Sequence, residues 1–75
     1  MKLYKLSQNI NHNYDTYDSC VVCAKNKLEA KTIRPSADDY SWLPKELESK
    51  IGVEYLGEAK KGLKKGIVIA SFNAG

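Results

Sequence analysis

Asp18-Ser19-Cys20-Val21-Val22-Cys23-Ala24-Lys25 is the stretch on which the fold turns. Val21 to Ala24 leave no polar side for water, and β-branched valines favour extended backbone, so the segment predicts a strand covered on both sides and set inside a sheet. Just ahead of it, Asn13-Tyr14-Asp15-Thr16-Tyr17-Asp18 doubles a Tyr-Asp element dense in rings and carboxylates. A polar loop pinned by a rigid strand is a common way to place binding groups.

Upstream, Lys2 to Ser7 alternates well enough for a first strand, with Leu3 and Tyr4 supplying strand-forming bulk. Gln8 to Asn13 is rich in asparagine, which tolerates left-handed backbone and forms local turns, so a loop is expected there. Downstream, Asn26 can cap a short helix, with Glu29 three residues on as a capping-box partner. Leu28, Ala30 and Ile33 would form its apolar side, and Arg34-Pro35 would end it, because the residue before proline avoids helical angles.

Ser36 to Lys50 is the least regular part. Trp42 and Leu43 are expected to fold back as a plug over one sheet face, and Glu46-Leu47-Glu48 to form a single helical turn. Ile51 to Glu58 predicts a third strand, with Ile51, Val53 and Tyr55 on one face. Ala59 to Lys65, rich in glycine and lysine, predicts a hairpin tip. Ile67 to Phe72, apolar on both faces, predicts a fourth strand at the centre of the sheet. The fold class is therefore α+β: a four-stranded, mainly antiparallel sheet with one short helix on one face, in the order β-β-α-β-β. The other sheet face would be partly bare, which points to a homo-oligomer.

Seventy-five residues make a single domain, 1–75, with a thin core. The composition, 43% hydrophobic and 28% charged, is that of a globular chain. A net charge of +3 allows attraction to anions but is mild for a dedicated nucleic-acid binder. No apolar run approaches the ~20 residues needed to cross a bilayer. Met1 to Leu6 is too short and too alternating for a signal peptide, so an intracellular protein with reduced thiols is expected.

Cys20 and Cys23 have the spacing of a redox or zinc half-site, yet on a strand residues three apart point to opposite faces. Their sulfurs could then neither bond each other nor share a metal, so they read as structural cysteines. His12 stands as the single histidine, with no nucleophile and orienting acid arranged around it. Asp15 with Asp18, or Asp38 with Asp39, read as turn and capping residues before they read as catalytic pairs or Mg²⁺ ligands. No catalytic residue, metal site or cofactor is assigned, and the chain is not read as an enzyme.

The Tyr-Asp segment is the sharpest binding candidate. Tyrosine rings can stack on a base, a contact worth about 1–3 kcal/mol in nucleic-acid systems. Carboxylates can accept from a base amine or a ribose hydroxyl. Phosphates would need cations, which Arg34, Lys60, Lys61, Lys64 or Lys65 could supply. The expected ligand-binding set is Tyr14, Asp15, Tyr17, Asp18, Arg34, Lys60 and Lys61, and a ligand would sit between subunits, since one protomer has little room for a pocket of ~300 Å³.

Tyr14-Asp15-Thr16-Tyr17-Asp18-Ser19 with Val21-Val22, Gly57-Glu58-Ala59-Lys60 and Ala70-Ser71-Phe72-Asn73-Ala74-Gly75 resembles a family of very small proteins encoded by phages and prophages. The resemblance covers nearly the whole chain and transfers no catalytic residue. It implies a phage accessory protein acting in the cytoplasm of an infected bacterium. By analogy of size and source, it implies an inhibitor of host defence. Such an inhibitor either sequesters a small nucleotide signal or binds a defence protein directly. A nucleic-acid-binding accessory factor is a further alternative, and no membrane partner is expected.

Overall fold

The structure, a computed structural model, describes residues 1–9, 16–36 and 41–73. The expectations that fall on His12, Tyr14, Asp15, Asp38 and Asp39 lie outside the described residues. The chain forms strand β1 (Lys2–Ser7), strand β2 (Thr16–Ala24), helix α1 (Lys27–Thr32), a 3-10 helix (Lys45–Lys50), strand β3 (Gly52–Glu58) and strand β4 (Gly66–Asn73). The four strands make one antiparallel sheet in the order β3-β1-β2-β4, and the α+β fold class holds.

β1 and β2 pair without interruption from Lys2↔Ala24 to Ser7↔Ser19 and occupy the centre. Period-two alternation then sorts their side chains. Tyr4, Leu6, Cys20, Val22 and Ala24 turn to one face, where Ala30, Trp42, Leu43 and Ile51 close over them as the core. Trp42 and Leu43 are the expected plug, both fully buried. The opposite face carries Leu3, Lys5, Ser7, Ser19 and Val21, exposed or half-buried, together with the fully buried Cys23. β2 is thus an inner strand by pairing, but its second side is only partly covered.

Helix α1 starts as expected. Asn26 accepts from the Glu29 backbone N–H at 2.9 Å, and the Glu29 carboxylate accepts from the Lys25 N–H at 2.9 Å. One expectation about its apolar side fails, since Leu28 is 80% exposed whereas Ala30 is fully buried. Residues two apart on a helix face nearly opposite ways, and the small alanine lets the backbone lie close on the sheet. Ile33, half-buried, packs against the core.

Two further expectations are corrected. β4 is not central: among the described residues it pairs with β2 alone and forms an edge, leaving Ile67, Val68, Ile69 and Phe72 each 40–66% exposed. Ala59 to Lys65 is not a hairpin tip either, because β3 and β4 lie on opposite edges. The segment crosses one end of the sheet, with the Ala59 N–H donating to the Met1 carbonyl at 3.0 Å. Gly62 turns the crossing at a φ of 99°, a backbone region that favours glycine. β1 and β2, consecutive in the chain, form the central pair, and the last two strands take the two edges.

Candidate functional site

The Tyr-Asp element is partly strand. Thr16 and Tyr17 already belong to β2. Opposite β4, Tyr17 pairs with Phe72 and Ser19 with Ser71, so Asp18 is the extra residue of a β-bulge. The bulge is fastened from three directions. The Gln8 side-chain amide donates to the Tyr17 carbonyl at 2.8 Å. The Gln8 backbone N–H donates to the Asp18 carbonyl at 3.2 Å, and the Tyr17 N–H donates to the Ser41 carbonyl at 2.8 Å. Gln8 is itself buried, which makes it a positioning residue that the sequence reading missed. A lone glutamine in an asparagine-rich loop carries no visible sign of that role.

Held this way, the Asp18 carboxylate faces solvent and accepts weakly from the Ser19 hydroxyl at 3.5 Å. Beside it the half-buried Tyr17 ring meets the Phe72 ring at 4.8 Å between centroids and 58° between planes. The site therefore offers an anion on the β2 bulge beside a tilted aromatic pair shared by β2 and β4, its Tyr17 ring packed in part against the core.

The predicted cations lie elsewhere. Arg34 follows α1, half-buried, its Nε donating to the Ser36 carbonyl at 3.0 Å. Lys60 and Lys61 sit exposed in the crossing segment, on the side of Met1 and β3. Lys64 and Lys65 end that segment directly before β4, with Lys65 Nζ 3.8 Å from the Glu29 carboxylate. The ladder runs from Thr16↔Asn73, next to Tyr17↔Phe72, at one end to Cys23↔Gly66 at the other. Six residue steps along β4 separate the rings from the lysine end, roughly 20 Å at strand rise. Within one copy, the aromatic–carboxylate half and the lysine half are apart.

Two clefts, both open to solvent, adjoin the sheet, so one protomer offers more room than its length suggests. One of about 290 Å³ is lined by Ser7, Gln8, Asn9, Lys50 and Gly52. The other, about 350 Å³, runs along the β2–β4 boundary past Lys5, Ser19, Val21, Ile69 and Ser71. Its lining, one ammonium, two hydroxyls, the Cys20 thiol and three aliphatic side chains, adjoins the Asp18 bulge through Ser19.

Cys20 and Cys23 behave as the strand geometry requires. Both are free and buried; Cys20 pairs across from Leu6 and Cys23 from Leu3, on opposite faces. Burial pushes the Cys20 thiol up to about 11, so it is protonated and unreactive at neutral pH. On the far edge, the Tyr55 hydroxyl donates to a Glu58 carboxylate oxygen at 2.6 Å, which holds the tyrosine above its usual pKa. Among the described residues, no helix is long and apolar enough to cross a membrane.

The chain matches no protein-family model, and comparison with curated proteins and with solved structures gives no match.

Proposed function

We propose that the protein is a non-enzymatic binder that sequesters a small nucleotide at a contact between copies of itself. In this reading it is a phage accessory protein that removes an immune signal from the cytoplasm of an infected bacterium. The observation that carries the reading is the fastened bulge, where Asp18 points outward beside the Tyr17–Phe72 pair. A base can lie against half-exposed rings while the carboxylate accepts from its amine or from a ribose hydroxyl. Phosphate then requires lysine, and Lys64 and Lys65 are better placed than Lys60 and Lys61, since they adjoin β4 itself.

Calorimetric titration against a panel of cyclic and ADP-ribose-derived nucleotides tests the proposal. Heat and a raised melting temperature with one member are expected; neither with any member removes the nucleotide. The apolar β4 edge favours one second reading, an inhibitor that adds its strand to a host defence protein. That reading predicts recovery of a single host protein in a pull-down and a nucleotide-free preparation.

A further inference from the structure

We infer that the β4 edge pairs antiparallel with the β4 edge of a second copy about a two-fold axis, and that this pairing completes the binding site. The inference rests on the nucleotide reading for the site, but the pairing stands on its own observations.

The first is the chemistry of the edge. Gly66-Ile67-Val68-Ile69-Ala70-Ser71-Phe72-Asn73 contains no charge and no proline. Ile67, Val68, Ile69 and Phe72 are 40–66% exposed along it. Edge strands left unpaired are normally guarded by lysine, proline or inward-pointing charge, because their free N–H and C=O groups recruit another strand. The extra residue Val68, in the register shift between Ile67 and Ile69, adds twist. A bulge is one guard of an edge strand, and here it stands without the charge or proline that usually accompanies it.

The second is the contrast with the other edge. β3 carries Glu54 and Glu58. It also bends at Gly57, whose φ of 149° lies beside a register shift against β1. A β4-to-β3 contact would repeat without closing and build a filament. Self-pairing of β4 closes after two copies and leaves the charged edges outside.

The third is charge complementarity, and it selects the antiparallel direction. Parallel pairing would lay Lys64 and Lys65 of one copy beside the same lysines of its mate. Antiparallel pairing places the Gly66 end of one strand beside Phe72 and Asn73 of the other. The lysines that precede Gly66 then come to the Phe72 end of the mate's β4, with Asp18 bulged on β2 one strand further in, about 10 Å across the sheet and within combined reach of a lysine and a carboxylate side chain. The symmetry repeats the contact, so each of two sites joins Tyr17, Asp18 and Phe72 of one copy with Lys64 and Lys65 of the other. The rings and carboxylate at one end of β4 and the lysine pair at the other, which one copy holds apart, are brought toward each other by two, adding to the Lys5 ammonium already near the bulge.

Sedimentation and native mass spectrometry of the full chain, with Ile69→Lys, Asp18→Lys, Lys64→Glu and the double variant Asp18→Lys/Lys64→Glu, test this. A dimer is expected for the natural chain, and a monomer with an unchanged far-UV spectrum for Ile69→Lys. Each single charge reversal should weaken the dimer by roughly fivefold, and the double variant should recover most of the loss. A monomeric natural chain, a dimer that survives Ile69→Lys, a filament, a foreign protein on β4 instead of a second copy, or no recovery in the double variant overturns the pairing. The nucleotide reading fails separately: a β4-paired dimer that binds no nucleotide keeps the pairing and loses the ligand. A monomer that binds nucleotide does the reverse.

Discussion

At the scale of single residues, Gln8 and Cys20 show how little of a role is written in residue type. Gln8 spends its amide on the Tyr17 carbonyl inside the fold. Gln8→Leu keeps similar bulk but leaves that carbonyl without its donor, at a cost of about 1–3 kcal/mol. The expected outcome in urea unfolding is a lowered midpoint with the slope unchanged. An unaltered midpoint would show that the bulge holds without the amide. Cys20 makes a pH prediction. Its folded pKa, about 11, lies above the ordinary 9.0 of a free thiol. The native state therefore binds the proton more tightly than the unfolded chain does, and stability is fully present below pH 9. It is lost as pH rises through 11, by up to about 2 kcal/mol. Subtracting the alkaline unfolding curve of Cys20→Ala from that of the natural chain isolates the contribution, since lysines and tyrosines titrating nearby affect both. A flat difference would mean that the thiol ionises freely.

Individual elements show what the sequence could disclose. The helix start was legible because capping is local: Asn26 and Glu29 meet the same backbone groups whatever the rest of the chain does. Asn26→Ala should cost about 1 kcal/mol and lower the melting temperature by several degrees. Leu28→Lys, at a position 80% exposed, should leave it unchanged. A loss at Leu28 larger than at Asn26 would reverse the assignment of the helix faces. The inner place of β2 was legible from its unbroken apolar run, and the opposed cysteines from strand periodicity. The edge place of β4 was not, because an apolar strand facing a missing neighbour has the same composition as one facing a present neighbour. Nor was the crossing of Ala59 to Lys65 legible, since turn residues mark a change of direction without saying how many strands are passed. The Tyr-Asp segment was legible as a candidate. Its separation from the lysines was not, because that distance is a property of strand order.

For the molecule as a whole, the thin core makes one side chain decisive. A chain of 75 residues has a total stability of roughly 4–11 kcal/mol. Helix α1 has only six residues and cannot cover a four-stranded sheet. The irregular segment after it supplies Trp42 and Leu43, both fully buried among Tyr4, Leu6, Val22 and Ile51. Removing a buried tryptophan to alanine typically costs about 3–5 kcal/mol, a large fraction of that total. Trp42→Ala should therefore be substantially unfolded at room temperature, with the far-UV strand signal reduced and amide protons exchanging freely. Trp42→Phe refills most of the volume and should remain folded with a lowered urea midpoint. As the sole tryptophan of the chain, Trp42 also reports on itself. Its native emission should be blue-shifted and should move to the red in one cooperative step that coincides with loss of the far-UV signal. Native emission already at the wavelength of a solvated indole, or an indole transition preceding the backbone transition, would show that the plug is not part of the core. The sheet would then have to be held by its ladders and the rest of the core.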